Sequence, residues 1–300
     1  MMGTDLGLGT AQLGDLFEPL DQHTATAIVD AAWACDIRLF DTAPHYGLGL
    51  AEERLGTALR HRPREQYRLS TKVGRLIVDI DGGRTRTWDF SADGVRTSLM
   101  SSLRRLGLDS VDTALVHDPE GHLDEALTAA YPELERMRSA GIVDAIGVGS
   151  RHLPSLVRFV RETDVDVVMV AGRLTMLDHS ALDELVPLCE HRGVQILNVG
   201  VFNSGILATP HPAAGGRFDY TVAPDAVVER AGELAQLSAR FGYTLPQAAI
   251  AFARHPAPVA SVVLGAESAD QVRANVRAAE AQGDAEGLWN AVLETEGEHG

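Results

Sequence analysis

Lysine is almost missing from this chain. Of its 26 basic residues, 25 are arginine and one, Lys72, is lysine. Surface roles tolerate either cation. A buried group that must be a compact point charge with a tunable pKa does not. Survival of one lysine by chance in an arginine-biased composition is the plain alternative. The position of Lys72 at the end of a strand-like run, Tyr67–Lys72, favours a chemical role.

Cysteine is nearly as scarce. Cys35 and Cys189 both fall in helix-like segments, which excludes a disulfide framework and suits reduced core thiols. Positive charge is also short, with 26 basic against 42 acidic residues and a formal charge of -16. That argues against nucleic acid and anionic membrane surfaces as partners. It also requires any site for a phosphorylated cofactor to be locally basic or lined with backbone N–H groups. No apolar run is long enough to span a bilayer. Met1-Met-Gly-Thr-Asp5 lacks the basic and apolar regions of a signal peptide, so the cytoplasm is the expected compartment. Eleven histidines are present, but there is no His-x-His at a first strand and no His-Glu-x-x-His, so no metal site is expected. His122 and His179 read as polar groups of loops.

What is present is a regular alternation. Strand-like runs end at Thr10, Asp41, Lys72, Val116, Val148, Val170, Val199 and Leu264, and helical spacing follows each, as in Ser91–Leu106 with Val95, Leu99, Leu103 and Leu106 in register. Most of these strands are continuous Val, Ile and Leu runs, as a parallel sheet buried on both faces requires. Eight such units, evenly spaced with no linker, predict an α/β fold of one domain over residues 1–300. The architecture is a (β/α)8 TIM barrel, with 280–300 a C-terminal extension that packs at the barrel's bottom or over its mouth. Two long segments, Gly74–Phe90 and Gly200–Pro224, read as functional loops.

A barrel of this kind places its active site at the C-terminal ends of its strands. Asp41, Lys72 and His117 end the second, third and fourth strands, and Tyr46 follows the second. Four chemically capable groups therefore share one rim. An unperturbed tyrosine has a pKa of about 10. A nearby ammonium lowers it, and a carboxylate holds that ammonium charged and in place. A histidine beside the phenol orients a carbonyl oxygen or shares its proton. The set suits proton transfer at an oxygen coupled to hydride transfer at the adjacent carbon, with a nicotinamide cofactor as the hydride carrier.

The combination of Phe40-Asp-Thr-Ala-Pro-His-Tyr-Gly47, Ser70-Thr-Lys-Val73, His117-Asp-Pro119 and Gly265–Asn275 resembles the aldo-keto reductase superfamily. Ala43–Gly49, Ala171-Gly-Arg173 and Val201–Leu207 resemble its aldose 1-dehydrogenase branch, which includes L-fucose, D-threo-aldose and pyridoxal 4-dehydrogenases. The resemblance implies that Tyr46 is the general acid/base, that Lys72 and Asp41 tune it, and that His117 orients the substrate. It implies that Gly200, Asn203, Ser204, Gly205 and Leu207 line a pyrophosphate loop. It places Gly265, Glu267, Ser268, Gln271 and Asn275 at a phosphate or adenosine site, where a strand meets a helix N-terminus.

Three positions depart from the family pattern. Gly149-Ser150-Arg151 keeps a serine for the carboxamide but lacks the asparagine. The amide-bearing residue after strand six is replaced around Ala171-Gly172, and the stacking aromatic is absent at Gly200, with Phe202 a substitute. Where relatives that select the 2′-phosphate carry Lys or Arg, this chain has Glu267 and Gln271, so NAD is expected over NADP. The alternative is that Glu267 is solvated and Arg273 or Arg277 reaches the phosphate. His45, Trp88 and Arg173 are candidate contacts to a sugar or other small carbonyl substrate. The expected reaction is aldose oxidation at C1 to a lactone, or the reverse reduction of an aldehyde or ketone. A pyridoxal dehydrogenase, a reductase of a specialised carbonyl metabolite, a Schiff-base aldolase using Lys72 and a non-catalytic regulatory barrel are the rivals. Oligomeric state is not legible.

Overall fold

Eight parallel strands close on themselves in the order β1-β2-β3-β6-β7-β8-β9-β12. They are β1 (Leu6–Gly9), β2 (Leu39–Asp41), β3 (Arg68–Val73), β6 (Val111–His117), β7 (Val143–Ser150), β8 (Val167–Ala171), β9 (Gln195–Val199) and β12 (Val259–Gly265). This is the expected (β/α)8 barrel. The structure is a computed structural model that describes residues 5–295, so Met1 to Thr4 and the last five residues of the 280–300 extension lie outside the described residues.

The strands are rich in Val, Leu and Ile and largely buried because both of their faces are covered. Leu115, Val167, Met169 and Leu197 meet inside the barrel. The outward faces pack under the helices, with Ile28, Leu55, Leu99, Leu134, Phe159 and Val272 in one continuous core. Gly147 is needed for closure, since a Cβ there would lie 1.8 Å from the Val167 carbonyl oxygen of the neighbouring strand.

Two segments differ from the expected loops. Residues 74–90 form a hairpin, with β4 (Arg75–Ile80) paired antiparallel to β5 (Gly83–Trp88) above the barrel. Its turn is Asp81-Gly82, with Gly82 at φ 95°, and Asp-Gly is a strong two-residue hairpin signal. The flanking residues are half-exposed and carry Arg84 and Arg86, so the alternation of apolar residues that marks a strand is weak there. Gly74 is the hinge, at φ 97°, and a Cβ on it would lie 2.2 Å from Phe90 Cε1. The second segment, after β9, carries a tight turn at Asn203–Gly205 and a short hairpin of β10 (Arg217–Phe218) and β11 (Thr221–Val222).

The described part of the C-terminal extension packs on two helices of the outer layer. Helix Ala285–Glu294 buries Leu288 and Val292 against the outer helices Asp225–Arg240 and Leu245–Arg254. Trp289 stacks on Phe252 and His255, with ring centroids 4.5 and 4.4 Å away. No described helix is long and apolar enough to cross a membrane. Both cysteines are free, and burial pushes the Cys189 thiol up to about 12.

Candidate active site

Adjacent strands bring the four rim residues together. β2, β3 and β6 are neighbours, so Asp41, Lys72 and His117 sit side by side at the same end of the barrel. Tyr46 reaches them because the chain after Asp41 turns at once, through Gly47 and Leu48 at φ 61° and 53°, into helix Leu50–Leu59.

Lys72 Nζ donates to Asp41 Oδ2 at 2.7 Å, to the Thr42 carbonyl at 2.9 Å and to the Tyr46 hydroxyl at 3.1 Å. All three ammonium protons are therefore used. The second oxygen of Asp41 accepts from Ser70 Oγ at 2.7 Å. Burial opposes charge on Lys72, but Asp41 and Tyr46 outweigh it and raise its pKa, so the lysine stays an ammonium. Tyr46 departs from the expectation of a lowered pKa. Burial of its hydroxyl pushes the value up and exceeds the opposing pull of Lys72, while Asp41 adds to the rise. The ring edge remains partly open to the cavity, yet protein surrounds the phenol closely enough to disfavour its anion.

His117 packs edge-on to Tyr46, ring centroids 6.2 Å apart, and to His45 at 6.0 Å. Burial, Lys72 and Arg75 hold the His117 imidazole well below its usual pKa, so it is neutral. Its Nδ1 is buried without a hydrogen-bond partner, and its Nε2 lies 3.7 Å from Asp118 Oδ2. Asp118 pairs in turn with Arg75, which stacks on Trp88 at 4.2 Å. Sequence reading missed the supporting groups Thr10, Gln12, Ser70, Asp118 and Glu120. Thr10, Ser70, Asp118 and Glu120 act through contacts between segments distant in sequence, and although Ser70 and Asp118 lie inside the quoted motifs, nothing local marks their roles.

A cavity of about 480 Å³ runs from Asp41 and Tyr46 across the barrel mouth to the start of helix Ala269–Ala279. Gly200, Phe202, Asn203, Ser204, Gly205, Gly265, Glu267, Gln271 and Asn275 line it. Six other residues expected to touch cofactor or substrate do not. Leu207 is fully buried in the core beneath the loop, because its side chain packs with Ile206 and Leu245. Ser150 is buried and its hydroxyl donates to Glu120. Arg173 is held by Asp178 at 2.9 Å and Asp219 at 3.5 Å. Trp88 stands on the hairpin against Phe90 and His122. Ser268 caps the helix, accepting from the Gln271 amide at 3.2 Å, and lies outside the lining. His45 lines a second pocket under the hairpin with Gly47, Leu48, Thr85 and Arg86.

The long cavity suits an elongated polar ligand. Asn203 is 3 % exposed, yet neither its amide nitrogen nor its amide oxygen has a partner, and Gln12 Oε1 is also unpaired. Leaving buried groups unsatisfied costs about 1–3 kcal/mol each, so a ligand offering both donors and acceptors fits here. No group of three or more His, Cys, Asp or Glu side chains among the described residues is arranged to hold a metal ion.

The aldo/keto reductase profile matches residues 5–288 of this chain. The chain belongs to the aldo/keto reductase family. It is therefore an oxidoreductase, and it works with a nicotinamide dinucleotide. It is 42 % identical to a D-threo-aldose 1-dehydrogenase of a Pseudomonas species, over 96 % of this chain and 93 % of that protein. It is 36 % identical to a pyridoxal 4-dehydrogenase of Microbacterium luteolum, over 91 % and 88 %. Its fold matches the holo form of an aldo-keto reductase from Bacillus halodurans with a TM-score of 0.79 and 25 % identity, covering 98 % and 92 % of the two chains. These relatives agree with the family and branch that the sequence motifs indicate.

Proposed function

We propose that this aldo-keto reductase oxidises an aldose at C1 to the lactone with NAD, and that Tyr46 is the group that exchanges the proton. The observation that carries the reading is the Tyr46 hydroxyl held 3.1 Å from Lys72 Nζ at one end of the dinucleotide-sized cavity. In oxidation Tyr46 takes the proton of the C1 hydroxyl; in reduction it gives one to the carbonyl oxygen. The Lys72 ammonium stabilises the phenolate formed during that exchange, and Asp41, locked by Ser70, fixes the ammonium. Neutral His117 aims a hydrogen bond at the same substrate oxygen. A bound nicotinamide supplies the hydride acceptor. The aldose assignment rests on the likeness to the D-threo-aldose 1-dehydrogenase.

Gly200, Phe202, Asn203, Ser204 and Gly205 hold the middle of the dinucleotide in this reading. Gly265, Glu267, Gln271 and Asn275 take the adenosine end, with Ser268 fixing the helix start behind them. Glu267 would repel a 2′-phosphate, which favours NAD. Arg273, one alternative phosphate ligand, is paired with Asp270 at 2.8 Å.

The raised pKa of Tyr46 favours a second reading, in which the protein runs as a carbonyl reductase at neutral pH, because a protonated phenol is ready to donate. A Schiff-base aldolase is disfavoured. An imine-forming lysine must shed its proton, and Lys72 has its pKa raised and its three protons engaged.

The test is NADH and NADPH formation with L-fucose, L-galactose, D-arabinose and pyridoxal. Turnover with NAD that falls by about 10²–10⁴ in Tyr46→Phe, with dinucleotide binding retained, is the expected result. Turnover that survives in Tyr46→Phe would remove the assignment.

A further inference from the structure

Resting on the dehydrogenase reading, we propose that the pocket between the hairpin and the Tyr46 turn is an anion subsite, so that the preferred substrate is an aldose carrying a carboxylate or phosphate remote from C1. The pocket is lined by His45, Gly47, Leu48, Thr85 and Arg86, and His45 is the residue next to Tyr46. A substrate with its carbonyl carbon at Tyr46 has this pocket as the adjoining space.

The charged groups around it are paired except at Arg86. Lys72 is neutralised by Asp41 and Arg75 by Asp118. Arg84 pairs with Glu53 at 3.1 Å and Asp79 at 3.7 Å, and it reaches the Leu48 carbonyl, which ties the hairpin to the turn. Arg86 is two residues further along the same strand and so projects from the same face. Among the described residues it has no ion pair. Burial first, and then the nearby cations Arg75, Arg86 and Lys72, hold the His45 ring neutral at a pKa of about 4. The buried His45 Nδ1 has no partner. A chain with formal charge -16 thus presents a guanidinium without an ion pair beside its reaction centre.

An arginine with planar paired donors matches a carboxylate or phosphate. His45 adds a neutral donor or acceptor. A neutral aldose satisfies the hydroxyl contacts but leaves Arg86 without a counterion. In water a lone exposed arginine is solvated at no cost, and that plain role is what the experiment must separate from recognition.

Two measurements on the holoenzyme with dinucleotide bound do so. The first compares kcat/KM for neutral aldoses, for a hexuronate and for an aldose 6-phosphate, in the wild type, Arg86→Gln, Arg86→Lys and the surface control Arg104→Gln. The expected result is a preference for one of the two anionic classes. That preference falls about tenfold or more in Arg86→Gln, survives in part in Arg86→Lys and is unmoved in Arg104→Gln. Which anion is preferred tells carboxylate from phosphate. A ratio of anionic to neutral kcat/KM that is the same in Arg86→Gln as in the wild type overturns the subsite while leaving the dehydrogenase reading intact.

The second measurement is calorimetric titration with inorganic phosphate and, separately, with acetate, which needs no turnover. Binding that weakens about tenfold in Arg86→Gln supports the subsite even if no aldose is oxidised, a result that would sink the dehydrogenase reading alone. Absence of binding by both anions, or binding equal in both proteins, overturns the subsite.

Discussion

The Lys72 ammonium lies 3.1 Å from the Tyr46 hydroxyl, and the phenol nevertheless has a raised pKa. The two facts are consistent. Lys72 is shared with Asp41 at 2.7 Å, so the pair presents little net charge to the tyrosine. Burial then dominates. In the proposed mechanism the lysine makes a transient phenolate tolerable during proton exchange, while the resting state stays a neutral phenol.

Breaking the Lys72–Asp41 pair should cost stability as well as activity. Both side chains are almost fully buried, at 2 % and 4 % exposure. Lys72→Met strands a carboxylate that only Ser70 still contacts. The expected loss is roughly 3–5 kcal/mol in urea denaturation. Adding Asp41→Asn should recover part of it, and a double variant as unstable as the sum of the two single ones would contradict the pairing.

Two pH responses follow from the same site. Because the Tyr46 pKa is raised, the rate of oxidation should keep rising into the alkaline range, while reduction should lose rate there. Stability should change at the other end. His45 has a folded pKa of about 4 against 6.5 unfolded, so the unfolded chain binds more protons between those values. The stability His45 contributes is complete above about 6.5 and is lost as pH falls toward 4. His117 acts in the same direction. The melting temperature should therefore fall less steeply with acid in His45→Asn than in the wild type.

Cofactor choice is tested at Glu267, which lines the cavity while the neighbouring Arg273 is engaged by Asp270. Glu267→Arg replaces repulsion of a 2′-phosphate by attraction. The ratio of kcat/KM with NADP to that with NAD should rise about tenfold or more, as expected for gaining a charge-assisted contact. An unchanged ratio would show that Glu267 does not face the ribose.

Gly74→Ala probes the hairpin. A Cβ at φ 97° would strain the backbone and meet the Phe90 ring at 2.2 Å. A loss of about 1–3 kcal/mol is expected. A larger relative loss of kcat/KM than of dinucleotide affinity would locate the hairpin's role at the substrate end.

The sequence by itself determined the barrel and the identity of its four rim residues. Eight apolar runs alternating with amphipathic helices leave few other ways to bury both faces of every strand. A short strand followed at once by a turn puts Asp41 and Tyr46 at one end, and the single lysine marks its own position. The hairpin was only half legible. Asp81-Gly82 is a turn signal, but Arg84, Arg86 and Trp88 lack the alternation that burial imposes, since that ribbon lies over the mouth and buries little. The cofactor cavity was legible as a list of loop residues, but not in its membership. Leu207 turned into the core and Ser150 toward Glu120 because side-chain direction depends on what packs against the loop. Only the tertiary structure decided the protonation states. Whether Tyr46 rests as phenol or phenolate depends on how much protein excludes water from its hydroxyl and on how far Asp41 cancels Lys72. Both are sums over groups distant in sequence and close in space.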